Sequence, residues 1–355
     1  MFYRESGQFK TSYEADQSIL PILQDKVAMI LMLLFAFIII PIIANDYWLG
    51  SILIPFLILS LAALGLNVLT GYAGQISLGS AAFMAVGAFA AFNLQIRIPE
   101  VPFLLAFVWG GICAAAVGII FGLPSLRIKG FYLAVATLAA QFFIEWLFTH
   151  FSWFTNYSTS GVITSPPMHL FGLALDNPLN KYILVLCIVV LCAFGIRNLA
   201  RSEIGRAWMA VRDMDIAAEA IGINLMKTKL LAFGVSSFLC GVAGALWAYA
   251  YLGTVEPEAF GITRSFELLF MVVIGGLGSV SGAFLGAGFI VLLPILLNNL
   301  GSLITGQAIS TETIAHVEYM IFGGLIIFFL IVEPNGLARL WQIAKEKLRL
   351  WPFPY

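Results

Sequence analysis

Apolar residues come in repeated blocks of about 17–25, the length a helix needs to cross a hydrocarbon core of roughly 30 Å. Inside lipid a backbone must satisfy its own hydrogen bonds, which leaves helices and closed barrels as spanning structures. The alternating apolar–polar segments that mark a barrel are absent. With 61% hydrophobic and 10% charged residues in 355, the chain reads as an all-α polytopic membrane protein. That leaves no room for a sizeable soluble domain.

The blocks predict about ten spans, at 27–44, 51–69, 75–92, 102–123, 131–150, 181–197, 230–252, 264–277, 281–299 and 313–332. The eighth is short and the ninth follows at once through "GGLGSVSG", so the two alternatively form one broken or re-entrant element. Residues 1–26 lack the short apolar core and small-residue cleavage site of a signal peptide, so the first span is expected to be retained. Orientation follows from Lys and Arg. With a cytoplasmic N-terminus, 15 of the 18 basic residues fall inside and three outside, at Arg97, Lys181 and Arg264.

The expected organisation is therefore a cytoplasmic N-terminal segment (1–26), a transmembrane domain (27–332) and a cytoplasmic tail (333–355). Within the domain, 151–180 is the longest external loop and 197–229 the longest cytoplasmic one; 301–312 is also expected outside.

The cytoplasmic loop stands out. Residues 201–229 hold five of the 18 basic and four of the 19 acidic residues, between two apolar blocks. Ser202 can cap a helix from Glu203, with Ile204, Trp208 and Val211 on one face. Asp213 or Asp215 can cap a second short helix, "IAAEAIG", for which Gly222 is a natural stop. Two short helices with small residues and fixed charges suit docking into a cleft on another protein; a solvated amphipathic loop is the plainer alternative.

No Walker-type phosphate loop, H-E-x-x-H or G-x-S-x-G occurs, so no nucleotide site, metal site or hydrolase nucleophile is expected. His150, His169 and His316 are far apart in sequence. The four cysteines lie inside apolar runs and read as small hydrophobes. No nucleic-acid partner is expected; the surrounding partner is lipid. Gly278, Gly282 and Gly286 recur every four residues, as do Gly118 and Gly122, the pattern of close helix packing or, alternatively, of a pathway wall. Glu145, Glu267 and Glu318 are intramembrane or interfacial carboxylates, open to either a snorkelling or a translocation-path role.

Four segments in order carry a resemblance. "SEIGRAWMAVRDMDIAAEAIGINLMKTKLLAFGVSSFLCGVAGALWA", "TGYAGQISLGSAAFMAVGAFAAF" (70–92), "VEPEAFGITRSFELLFMVVIGGLGSVSGAFLGA" (255–287) and "EPNGLARL" (333–340) resemble LivM-type permeases of branched-chain amino-acid ABC importers, over about 65–340. The resemblance implies a type II ABC importer-like permease in a bacterial inner membrane. It implies four kinds of partner: a second, LivH-type permease, two ATP-binding subunits of LivG and LivF type, and a periplasmic substrate-binding protein. ATP and Mg would be bound by those ATPase subunits and by nothing in this chain.

The resemblance also assigns a coupling segment that docks on the ATPase: Gly205, Arg206, Ala207, Arg212, Asp213, Ala217, Ala218, Glu219 and Gly222. Ser80 stands where many relatives have histidine, and Ala283 where many have proline. With Ser80 departing, Gln75, Ser77, Ser80, Glu145 and Glu267 are the candidate path residues, and the substrate ranges from branched-chain or other neutral amino acids to urea, short amides or aromatic acids. A stand-alone secondary carrier is the rival transport class.

Overall fold

The computed structural model describes residues 23–123, 131–158, 162–166, 168–170, 173–174, 177–305 and 336–350, with Ser12 and scattered positions of 316–331. Half of the expected tenth span (313–332), Glu318 included, lies outside the described residues, as do 306–315 and the ends of the chain.

Helix α1 begins with Leu23–Leu34 and runs on to Ile43; α2 covers Trp48–Tyr72. Each contains a π-helical stretch, Phe35–Ile39 and Trp48–Leu53, just ahead of a proline, Pro41 and Pro55. A proline has no N–H and its ring crowds the preceding turn, and the widened turn relieves that conflict. Then follow α3 (Ser80–Arg97), α4 (Phe103–Gly122), α5 (Phe131–His150) and α6 (Pro178–Arg201). Two short helices, α7 (Glu203–Asp213) and α8 (Asp215–Ala220), precede α9 (Leu225–Leu252), α10 (Ile262–Gly275), α11 (Val280–Thr305) and α12 (Gly336–Leu350). Among the described residues seven helices are long and apolar enough to cross a membrane: α1, α2, α4, α5, α6, α9 and α11. The chain is a multi-pass membrane protein.

The centre is built from α2, α3, α4 and α9, with α10 and α11 on one side. Almost every residue of α2 from Ile54 to Tyr72 is buried, as expected of a helix that is apolar all round. Between such helices lipid gives no hydrophobic drive, so close backbone contact carries the association. Gly87 of α3 lies against Gly241 of α9, and Gly244 against the Met84 carbonyl. Gly118 faces Ser237, and Gly122 faces the Phe233 ring. Gly282 and Gly286 of α11 lie against Gly275 and Met271 of α10. Gly278 is not on that helix face: it sits in the preceding turn with φ +72°. The four cysteines are free thiols.

The connections sort into two ends. At one end, strand β1 (Ile163–Thr164) pairs antiparallel with β4 (Thr254–Val255), Ile163 opposite Val255. Between them in sequence, β2 (His169–Leu170) and β3 (Leu173–Ala174) form a small hairpin. Arg97 there donates to the Trp153 carbonyl and lies over its ring. At the other end, the segment after α2, the α7–α8 pair, the α10–α11 turn and the start of α12 come together.

Two span expectations change. Helix α3 starts at Ser80, and 73–79 is not helical; Gly74, with φ +68°, breaks the run. Helices α10 and α11 are joined by a four-residue turn, 276–279. With 14 residues α10 is about 21 Å long, short of the hydrocarbon thickness. Residues 301–305, expected in a loop, continue α11.

Candidate coupling and translocation site

Helix α7 leaves α6 through a tight bend at Ser202. Gly205 is buried against the Ala200 backbone, where a Cβ would have no space, so its small size serves this bend within the chain. The Ser202 hydroxyl does not cap α7; it donates back to the Leu199 carbonyl at 2.6 Å. The buried face of α7 is Gly205, Trp208 and Val211, whereas Ile204, expected among them, is 39% exposed. Trp208 is fully buried, and its Nε1 donates to the Thr228 carbonyl at 3.0 Å, tying α7 to the first turn of α9. Arg206 is exposed and donates to the Arg201 carbonyl; Ala207 is half-buried.

At Met214 the backbone is extended and α8 turns away. Asp213 caps nothing; it pairs with Arg212 at 2.9 Å. Helix α8 ends where Gly222 adopts φ +91°, and Ile223 N–H donates back to the Ala218 carbonyl, the glycine-stop arrangement. Ala218 faces inward, whereas Ala217 and Glu219 are exposed. Met214, Ile216 and Ile221 are 64%, 71% and 76% exposed. An apolar knob held in water next to a carboxylate is the composition of a contact surface.

Arg212 points the other way, into the membrane domain. Its Nη1 donates to the Gly71 carbonyl at 3.0 Å, and its side chain fills the space beside Gly74 and Gly278. Behind it, Asn67 is fully buried; its amide donates to the Ser279 carbonyl at 2.8 Å and accepts from Gly278 N–H at 2.9 Å. One arginine and one asparagine thus join α7 to both breaks, 73–79 after α2 and 276–279 after α10. Asn67 was not anticipated, although a lone asparagine in an apolar run was a visible signal.

The extended segment 73–79 runs back into the helix bundle, and α3 starts there. Its opening N–H groups are satisfied from other helices. Leu78 donates to Thr137 Oγ1 at 2.9 Å, Ala81 to Ser265 Oγ at 3.0 Å and Ala82 to Gln141 Oε1 at 2.7 Å. Gln141 in turn donates to the Phe260 carbonyl at 2.8 Å. Ser265 lies ten residues before Gly275 on α10, about 15 Å along the helix. Gln141 is the middle residue of the α5 span Tyr132–His150, so the α3 start lies level with the centre of that span, and at such depth non-helical backbone is tolerated only when buried in protein or lining a cavity.

Gln75, Ser77 and Ser80 share this break and are all buried. Ser77 Oγ accepts from Gly79 N–H, and both polar atoms of the Gln75 amide lack a partner. Glu267 pairs with Arg264 on α10, and the Arg264 guanidinium lies 4.6 Å from the centroid of the Trp247 ring. Glu145 stands half-buried one turn beyond Gln141 and is not drawn into the Gln75 group. Among the described residues no group of three or more His, Cys, Asp or Glu is placed to hold a metal.

Comparison with known proteins assigns the family. The family model described as branched-chain amino acid transport system / permease component matches residues 48–330. The high-affinity branched-chain amino acid transport system permease protein LivM of Escherichia coli (strain K12) is 31% identical over 310 residues, covering 81% of this chain and 68% of its own. A probable branched-chain amino acid transport permease protein LivM of Methanocaldococcus jannaschii is 26% identical over 330 residues, covering 81% and 92%. The autoinducer 2 import system permease protein LsrC of Enterobacter sp. (strain 638) is 30% identical over 258 residues, covering 70% and 71%. No solved structure matches. With its glycine-packed helices and its outlying helix pair, the chain belongs to the family of branched-chain amino acid transport system permease components.

Proposed function

We propose that the chain is a permease subunit of an ABC importer for branched-chain or other neutral amino acids, set in a bacterial inner membrane with about ten crossings and both termini cytoplasmic. Its partners are a second, LivH-type permease, two ATP-binding subunits and a periplasmic binding protein. ATP and Mg belong to the ATP-binding subunits, so this chain contributes movement and no covalent chemistry.

The observation that carries the reading is the outward face of α8. Met214, Ile216 and Ile221 project with Glu219 at the end of the molecule where most Lys and Arg lie. This face docks in a groove of an ATP-binding subunit. When those subunits close, α8 and α7 move together, and Arg212 passes the displacement to Gly71 and to the Gly278 turn. The break 73–79 leads into the deep start of α3, and α10 connects the Gly278 turn to that start through Ser265, so the shift opens or closes the space around Gln75 and Ser80. The switch is a rigid-body movement of a packed element.

The test is purification of the tagged full chain from its native membrane with its co-purifying subunits, followed by leucine uptake in proteoliposomes. The reading expects ATP-dependent uptake that requires the binding protein and ignores a protonophore. Uptake by the chain alone, abolished by the protonophore, would identify a secondary carrier.

A further inference from the structure

Arg264 and Glu267 form an ion pair on α10, about 12–16 Å along the helix from Gly275. Ser265, between them in sequence, bonds to Gln141 at the middle of the α5 span Tyr132–His150, which sets both charges level with the centre of that span. The side chains are 24% and 22% exposed. Charges at that depth do not face lipid without large cost, so the open side of the pair faces a water-filled cavity or another subunit.

The pair is under-used as a structural link. Glu267 accepts through Oε2 alone, and of the guanidinium N–H groups only one on Nη1 has a polar partner among the described residues. A buried ion pair that serves stability needs its remaining valences filled. Here they stay open, with the flat face of Arg264 over Trp247. The neighbouring Ser265 donates to Gln141 and accepts from Ala81, which fixes this stretch of α10 against the α3 start.

We propose that Arg264 and Glu267 recognise the two charged ends of a transported zwitterion. The guanidinium takes the carboxylate through its free N–H groups, and Glu267 takes the ammonium. The apolar side chain of the substrate lies toward Trp247. An α-amino acid carries both charges on one carbon, so it can insert between partners already held together by a single contact. This assignment rests on the amino-acid reading above. A urea or sugar has no use for an ion pair of this kind.

The test uses the assembled complex in proteoliposomes. Wild-type leucine uptake reports on the amino-acid reading by itself; its absence sinks that reading before the pair is considered. The double variant Arg264→Met/Glu267→Leu removes both charges with similar bulk. A merely structural pair tolerates such a change, since apolar replacements of buried pairs are often neutral or stabilising. The proposal expects normal assembly and basal ATP hydrolysis, leucine uptake reduced at least roughly ten-fold, and no stimulation of hydrolysis by loaded binding protein. Should that variant fail to assemble, Arg264→Gln/Glu267→Gln keeps hydrogen-bonding groups and is read in the same way. Wild-type uptake by either assembled variant would overturn the assignment.

Discussion

Arg212 Nη1 donates to the Gly71 carbonyl at 3.0 Å across a sequence separation of 141 residues. The two residues belong to different parts of the machine: one to a water-exposed helix, the other to the end of the most buried membrane helix. Asp213 holds the same guanidinium from behind through Nε and Nη2, so its orientation is fixed on two sides. Beside the Trp208 bond to α9, it is a direct link from α7 to the membrane helices.

Arg212→Ala removes a charge-assisted hydrogen bond and the side chain that fills the space beside Gly74. We expect insertion and abundance to be unchanged and ATP-driven uptake to fall roughly ten-fold or more. Arg212→Lys should be intermediate, because a single ammonium cannot reproduce the forked geometry. The measurement is uptake normalised to assembled complex; equal uptake in wild type and Arg212→Ala would remove the link.

Asn67 holds the Gly278 turn with both ends of its amide. Asn67→Leu leaves the part-buried Gly278 N–H unpaired, at a cost of about 1–3 kcal/mol, while the Ser279 carbonyl keeps its bond from Ala283 N–H. The purified protein should unfold at a lower temperature in detergent, and Asn67→Asp should recover only the bond from Gly278 N–H. An unchanged melting curve for Asn67→Leu would show that the turn does not depend on this residue.

Apolar run length revealed most of the helices, because crossing lipid imposes one length and one composition. The two-helix loop was also legible, since Gly222 and the charges around it are local signals. The α3 start was not legible. "GQISLG" is apolar enough to read as helix, and what fixes the break lies elsewhere in the chain, on Thr137, Gln141 and Ser265. Gly205 was assigned to the docking segment by the resemblance; the structure adds that its neighbour is Ala200 of the same chain. Arg264 was counted with an external loop, although its spacing of three from Glu267 was in plain view. The structure brings the two side chains into contact.

Gly282 lies where a Cβ would come within 2.7 Å of the Gly276 carbonyl. Gly282→Leu forces α11 away from α10, and we expect less assembled complex to be recovered in detergent. Gly282→Ala should show a smaller loss. Full assembly and full uptake in the leucine variant would mean that this contact can open without consequence.

The two ends of the molecule can be assigned to the two sides of the membrane with single cysteines in a background lacking the four native ones. Tyr157, 73% exposed beside α5, and Ile221, 76% exposed just after α8, mark opposite ends. Tyr157→Cys should react with an impermeant thiol reagent in intact spheroplasts, and Ile221→Cys only after the inner face is opened. The reverse pattern would invert the molecule and place α8 outside the cell.

Glu219 is the exposed carboxylate of α8, and the central claim is that this helix couples the membrane domain to an ATP-binding subunit. Glu219→Lys reverses a charge in water and carries no insertion penalty. A partner left facing a reversed charge at a well-formed contact loses about 2–5 kcal/mol, and at a rim contact far less. The decisive measurement is ATP-driven leucine uptake in vesicles containing Glu219→Lys, read beside recovery of the ATP-binding subunits on the tagged chain. The account predicts a permease present at wild-type level, uptake abolished, and the ATP-binding subunits either lost or hydrolysing ATP without regard to substrate. Wild-type uptake with wild-type recovery of those subunits would contradict it, and α8 would then be a solvated loop.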